Sequence, residues 1–447
     1  MHYIRLCRPP EIHPGPSRSP QPTLKLVLTI TTDLSDSFLT PPNPIPLSIL
    51  GAYTQTDAST GQPRLVPLLL TPNPPPVWRA GMRVLKLDLP LPLSGSGPGA
   101  KTPVPLETIQ IRPADRALTA LGTNDVLPGN RGLIMPVYAD IPPSSSSQGG
   151  EREEEVSRTC FRSLRIELGS GSSAGQQQQQ QPPALLQIEE DLGESIARHV
   201  WDSGVVMVSL LADMCLGGDS EDRRPQQQLP LCRDILLNHP PGRGLNILEL
   251  GCGVGVVGIG LHKIMALRHE VTGMPPPHIL ITDLPEAEKK AKTNIARQVS
   301  GSSRRNDSSS DETSTEHPNL SFEPLDWEDG RVGSFGARAS SRAWDLVVVC
   351  DCTYNTDTLP ALVGTISAVH RMSAEQQQEQ QTESGSREEA VDTAVLLATK
   401  RRHDSEKRFF GMMEAEGWVI RERTEMPLPR LGGEKQRVEV YLFRKER

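Results

Sequence analysis

Between Leu245 and Gly258 the chain reads L-N-I-L-E-L-G-C-G-V-G-V-V-G: an apolar run of strand length carries Glu249 and is followed at once by Gly251, Gly253, Gly255 and Gly258. Helical apolar spacing resumes from Ile259 to Leu267, so the stretch predicts a strand, a tight glycine turn and a helix. Glycines there let the backbone visit positive φ and approach a ligand with no Cβ in the way, while the helix start presents free N–H groups. Such a turn suits a nucleotide-like cofactor. Gly253, Gly255 and Gly258 alone satisfy the G-x-G-x-x-G dinucleotide pattern. Glu249, however, would repel a pyrophosphate and suits a cofactor with a cationic amino acid moiety. A second acid, Asp283, ends the next apolar strand, 25 positions after Gly258. A carboxylate there can accept hydrogen bonds from ribose hydroxyls, and it can also cap the helix that Pro285 opens.

Further acids stand at the ends of later strands. Leu320 to Leu325 is followed by Asp326 and Trp327, and the fully apolar run Trp344 to Cys350 delivers Asp351, Cys352, Thr353 and Tyr354. Open α/β sheets bind ligands at the carboxyl ends of their strands, which favours a functional role for Asp351 and Tyr354 over a helix cap and a core aromatic. No zinc spacing and no defensible Ser-His-Asp arrangement is present, and no metal ligand set is expected.

The elements that must position these residues follow in order. Gly193 to Met214 has helical spacing and contains H-V-W-D-S-G at His199 to Gly204; by itself Trp201 reads as core. A short helix, Leu231 to Leu237, precedes the glycine turn. After it come strand His278 to Thr282, a helix from Pro285 to about Gln298, the strands ending at Leu325 and Cys350, and a helix from Leu359 to His370. Strand Ala394 to Thr399, helix Glu406 to Glu416, and strands Trp418 to Arg421 and Val438 to Phe443 complete the series. This alternation predicts an α/β fold: a Rossmann-like, seven-stranded, doubly wound sheet with an antiparallel terminal hairpin.

Residues 1–143 differ. Leu24 to Thr31, Arg64 to Leu70 and Met82 to Leu89 alternate as half-buried strands, while prolines at 41, 42, 44, 46, 72 and 74 to 76 confine strands to edges or short pieces. The expectation is a β-rich, partly disordered accessory region, a Ser/Gly and acidic linker over 144–157, and a catalytic domain over 158–447. That domain would begin with a hairpin, Phe161 to Leu168 and Ala184 to Glu189. Low-complexity insertions are expected at 170–181, 217–228, 300–316 and 372–389, where Gln, Ser and Gly cannot bury apolar surface.

Only 36% of the 447 residues are hydrophobic and 4% aromatic, so part of the chain lies outside any core. A net charge of -8 argues against nucleic-acid and membrane-surface partners, which need a basic footprint. Seven irregularly spaced cysteines form no disulfide framework, which favours a reducing compartment. The N-terminus lacks an apolar signal core. A soluble protein of the cytoplasm, and also of the nucleus, is expected, acting as a monomer.

Several separated pieces resemble one family. E-L-G-C-G-V-G resembles motif I of the class I S-adenosylmethionine methyltransferases. H-V-W-D-S-G, I-T-D-L-P, N-I-A at Asn294 to Ala296, L-D-W-E at Leu325 to Glu328 and D-C-T-Y at Asp351 to Tyr354 resemble the seven-β-strand protein-lysine methyltransferases. Those relatives include the valosin-containing-protein and elongation-factor lysine methyltransferases, and the resemblance covers about 160–447. It implies S-adenosylmethionine as cofactor and a protein substrate carrying the target lysine. Glu249, Gly251, Gly253 and Gly255 would line the methionine part, Asp283 the ribose, and Asp326 with Trp327 the adenine. Trp201 would close the cofactor pocket, and Asp351 and Tyr354 would face the incoming lysine. The same fold would also serve a small-molecule N-methyltransferase or a non-enzymatic interaction module.

Overall fold

The computed structural model describes residues 1–15, 21–57, 61–94, 102–127, 132–141, 158–167, 184–192, 198–217, 229–239, 244–299, 317–384, 392–432 and 435–446. Its mostly parallel sheet, the catalytic sheet because the sequence places the expected site on it, follows from seven short segments, most of them apolar on both faces. They are β1 (Asn246–Leu250), β2 (His278–Asp283), β3 (Leu320–Pro324), β4 (Leu346–Cys350), β5 (Ala394–Thr399), β6 (Trp418–Pro427) and β7 (Arg437–Lys445). The order is β3-β2-β1-β4-β5-β7-β6, with β1 to β5 parallel and β7 antiparallel to both neighbours. The order reverses direction between β1 and β4, so their carboxyl ends open a crevice there.

Helices cover both faces, as parallel strands buried on both sides require. They are α1 (Asp202–Leu216), α2 (Pro230–Leu237), α3 (Val256–Thr272), α4 (Pro285–Val299), α5 (Leu359–Ser384) and α6 (Arg408–Ala415). The inward residues separate into two sets. Ile247, Ile279 and Leu346 pack with α1 and α3, while Leu248, Leu280, Val347 and Leu397 pack with Leu362, Ile366 and Phe409.

Two expectations about helices change. Gly193 to Met214 is not one helix: α1 starts at Asp202, with Trp201 extended at its N-cap. The expected insertion 372–389 is helical as far as Ser384 because α5 runs on through it, Gln and Glu being good helix formers. Ser373 and Gln377 are buried, and the Ser373 hydroxyl accepts the Trp344 N–H at 2.9 Å. The linker 144–157, the insertions 170–181 and 300–316, and all of 217–228 except Gly217 lie outside the described residues.

The N-terminal part is a β-sandwich. One sheet is built on Thr23–Thr31 and His2–Leu6; the other runs in the order Leu185–Asp191, Thr159–Arg165, Val137–Asp140, Thr108–Pro113, Ile45–Thr56, Pro63–Leu69. Leu24, Leu26, Leu28 and Ile30 pack against Leu47, Ile49, Ile109 and Ile111. The twelve-residue strand Ile45–Thr56 was not expected among so many prolines. It tolerates Pro46 because that residue lies near its start and still accepts the Ala114 N–H through its carbonyl.

The expected division at 143/158 also changes. The two strands of the hairpin pair as read, with Arg162 opposite Ile188, but Phe161 pairs with Tyr138, so Thr159–Arg165 and Leu185–Asp191 complete the sandwich. The same hairpin is stitched to the catalytic sheet's helices: Asn294 on α4 exchanges hydrogen bonds with the backbone of Glu189 at 2.7 and 3.0 Å.

Candidate active site

At the carboxyl ends of β1, β2 and β4 lies a cleft of about 290 Å³, lined on one side by Glu249, Gly251, Cys252, Gly253 and Asp283 and on the other by Asp326, Trp327, Asp351 and Tyr354. Trp201 and His199, from the segment before α1, close a third side. Of the residues expected at the site only Gly255 does not face the cleft. It shapes the turn instead: φ is +81° at the N-cap of α3, and a Cβ there would stand 2.9 Å from Ile259 and 3.1 Å from Ile281.

The turn is held by the two acids that follow from its sequence. The Gly258 N–H donates to Glu249 Oε2 at 2.8 Å, and the Gly253 N–H donates to Asp283 Oδ2 at 2.7 Å. Asp283 Oδ1 accepts the Leu284 N–H at 2.7 Å. Burial pushes the Glu249 carboxyl up to about 8, opposed by the Gly258 bond and reinforced by Asp283. Burial also raises Asp283. Two carboxyls raised by burial in one cleft favour a ligand that brings positive charge and hydroxyl donors.

Gly251 is required sterically. Its φ is +70°, and a Cβ would lie 2.6 Å from Cys352 Sγ and 2.9 Å from the Trp327 ring, so the tryptophan can lean over the turn only because no side chain intervenes. Asp326 caps the short helix Trp327–Gly330 by accepting the Glu328 N–H at 2.9 Å. Thr365 on α5 donates to the Trp327 carbonyl at 2.9 Å, which fixes where the ring emerges.

Asp351 has a partner that the sequence did not reveal. It adopts φ +58°, an uncommon conformation for a non-glycine residue, and its two oxygens accept Arg402 Nη1 and Nη2 at 2.8 and 2.7 Å. Burial alone would lower the Arg402 pKa, but Asp351, Asp33 and Asp202 hold it above its ordinary value. The guanidinium also lies 5.3 Å from the centroid of the Trp201 ring. Tyr354 stands three residues beyond Asp351, half exposed, with its hydroxyl pKa raised chiefly by burial.

Behind Asp351, and not lining the cleft, stand Arg402, Lys400 and Asp33, none of which was expected there. A signal for the first two is legible afterwards: Lys400-Arg401-Arg402 follows β5 directly, at the strand end where such sheets bind ligands. Asp33 carries no such signal, since Asp202, Lys400 and Arg402, to which it is joined, lie 169 to 369 residues away in the chain. Behind the His199–Trp201 segment, buried Glu190 accepts the Val200 N–H at 3.1 Å and pairs with buried Arg162. The sandwich thus sets one wall of the cleft. Among the described residues no group of His, Cys, Asp and Glu could hold a metal ion, and no helix is long and apolar enough to cross a membrane.

A UPF0665 family protein of Schizosaccharomyces pombe is 25% identical over 232 residues, 52% of this chain and 50% of that protein; the chain therefore covers about half that relative's length. Among solved structures, an S-adenosylmethionine-dependent methyltransferase of Clostridium acetobutylicum covers 46% of this chain and 85% of its own, at 11% identity and a TM-score of 0.27. A methyltransferase of the same cofactor class from Methanosarcina mazei covers 49% and 99%, at 15% identity and a TM-score of 0.26. The profile of the lysine methyltransferase family matches residues 180–416, just over half of the 447. The chain belongs to the lysine methyltransferase family, and its cofactor is S-adenosylmethionine.

Proposed function

We propose that the protein methylates the side-chain amine of a lysine in another protein. The observation that carries this reading is the placement of Asp351 and Tyr354 across one cleft from the glycine turn, in a chain of this family. The cleft residues fit the cofactor. Gly251 leaves room over the turn, Trp327 offers an aromatic face, Asp283 keeps lone pairs beyond those used by Gly253 and Leu284, and Glu249 answers positive charge. Bound there, S-adenosylmethionine supplies an electrophilic methyl group on a positively charged sulfur.

The nucleophile must be a neutral amine, whereas free lysine has a pKa of about 10.4. Burial and a nearby like charge lower it, while a carboxylate favours the ammonium. Asp351 therefore aligns the amine and does not remove its proton, which leaves to water. Its bidentate partner Arg402 offsets its charge, so that Asp351 orients the amine without fixing it as a cation. Half-exposed Tyr354 forms the wall at which a lysine side chain enters, a channel that a flexible substrate segment can fill. All seven cysteines are free, in keeping with action in the cytoplasm or nucleus.

The test is transfer of labelled methyl groups from S-adenosylmethionine into cell lysate by the purified protein. The expected outcome is a discrete labelled protein band that yields methyl-lysine on hydrolysis. Label confined to small molecules, or recovered on arginine or histidine, would overturn the reading.

A further inference from the structure

Asp33 lies outside the family match, in the tight loop Thr32–Phe38 of the N-terminal sandwich, and its carboxylate is fully buried. The loop is built to aim it. Ser35 takes φ +61°, its N–H donates to the Thr32 carbonyl at 3.1 Å, and Thr32 closes the turn by donating to the Ser37 carbonyl at 3.0 Å and to the Asp36 carboxylate at 2.5 Å. Arg5, from the neighbouring strand, donates to the Asp33 carbonyl at 2.9 Å. A loop tied at this many points presents its carboxylate in one place.

That carboxylate crosses to the catalytic sheet. Oδ1 accepts Lys400 Nζ at 2.6 Å, while Oδ2 accepts Arg402 Nη2 at 3.3 Å and the Asp202 N–H at 3.4 Å. Lys400 in turn bonds Asp202 at 2.8 Å, whose other oxygen accepts the Tyr3 hydroxyl at 2.8 Å. Arg402 therefore stands between two carboxylates, Asp33 behind it and Asp351 before it, with the Trp201 ring alongside. An arginine has many rotamers, and one carboxylate alone leaves the pair free to swing together. A second carboxylate on the far side fixes the guanidinium and the geometry of whatever it grips.

We propose that Asp33 is a positioning residue of the methyl-transfer site. By holding Arg402 it sets the carboxylate of Asp351, so the sandwich supplies part of the active site and is not a detachable accessory. The inference rests on the reading of Asp351 as the residue that aligns the incoming amine. A merely structural ion pair between two parts of the chain would affect stability and leave the site's kinetics alone, so the two roles separate by experiment.

The variant is Asp33→Asn in the full chain, assayed with labelled S-adenosylmethionine and the lysate protein band as methyl acceptor. Expected are a fall in kcat of about tenfold, a KM for S-adenosylmethionine within about twofold of wild type, and no further loss when Asp33→Asn is added to Asp351→Asn, because residues acting through one network are not additive. Independent, multiplying losses in the double variant overturn the proposal, as does unchanged kcat. Should Asp33→Asn not fold, Arg402→Lys replaces it: it keeps the charge but cannot span both carboxylates, and the same non-additivity with Asp351→Asn is expected. A reading without any methyl acceptor is trypsin cleavage within Lys400-Arg401-Arg402, mapped by mass spectrometry. Cleavage there should be at least fivefold faster in Asp33→Asn and unchanged elsewhere; equal cleavage overturns the proposal even if no acceptor is found. Absence of any labelled band with the wild-type protein strikes the proposed function and with it the positioning role, and the proteolysis then decides only whether Asp33 holds Arg402 in place.

Discussion

Glu249 and Gly258 face each other across the glycine turn, the Gly258 N–H donating directly to Glu249 Oε2 at 2.8 Å. The bond closes the strand end onto the first turn of α3, and it places a buried carboxyl with a pKa of about 8 against the cofactor cleft.

A pH dependence follows. Below about pH 8 Glu249 is largely protonated, and a ligand carrying positive charge favours its ionised form. Binding of S-adenosylmethionine should release up to one proton, and its affinity should rise with pH to about 8 and then level off. Calorimetry in buffers of different ionisation enthalpy reads the proton directly, and Glu249→Gln should abolish it. For stability the sign is opposite: the unfolded chain ionises near 4.5 and the folded one near 8, so this group's contribution to stability falls as pH rises through that window. Without ligand, the Glu249→Gln variant should lose that slope between pH 4.5 and 8.

Asp283→Ala removes two acceptor oxygens from the wall of the cleft together with the bond to Gly253. Hydrogen bonds to charged groups contribute about 1.5 to 3 kcal/mol each, so affinity for S-adenosylmethionine should fall by roughly two to three decades. Equal calorimetric affinity in variant and wild type would sink the ribose assignment.

Gly251→Ala tests the close approach of Trp327. The new Cβ meets Cys352 Sγ at 2.6 Å and the indole at 2.9 Å while forcing alanine to φ +70°, a strain of order 1 to 3 kcal/mol. The melting temperature should drop by several degrees and cofactor affinity by at least tenfold. A variant that binds as tightly as wild type would show that the indole does not press on the turn.

Much of this was legible in the chain because the information was local. The glycine turn, the strand-end acids and the apolar strands each declare themselves within about ten residues, and all seven strands of the catalytic sheet fall where periodicity puts them. What was not legible is non-local. Nothing near Asp33 announces Lys400, and nothing near Thr159 says that the hairpin pairs with Val137–Asp140 and not with the catalytic sheet. The long run of α5 was obscured for a different reason: the composition of 372–384 suggested filler, whereas its Gln and Glu propagate a helix whose Ser373 and Gln377 bury against the core. Ser373→Ala should accordingly leave the Trp344 N–H unpaired and cost about 1 to 3 kcal/mol, measurable by urea unfolding.

The last prediction concerns Asp351, where strain and function meet. A non-glycine residue at φ +58° persists because the surrounding bonds hold it: its N–H donates to the Ala398 carbonyl at 2.8 Å, and its carboxylate is gripped by Arg402. Three substitutions separate the contributions. Asp351→Asn keeps the shape and the tolerance of the left-handed region but loses the charge; Asp351→Ala loses both; Asp351→Gly relieves the backbone strain and leaves Arg402 without its main partner. Stability by thermal unfolding should rank Asn above Ala, since alanine bears the left-handed strain without a side chain to anchor it. If Asp351 aligns the substrate amine, methyl transfer should fall by roughly a hundredfold or more in all three, in line with lost positioning, while S-adenosylmethionine still binds within about threefold of wild type. A folded Asp351→Asn that methylates at the wild-type rate would remove Asp351 from the chemistry and leave it as the anchor of Arg402.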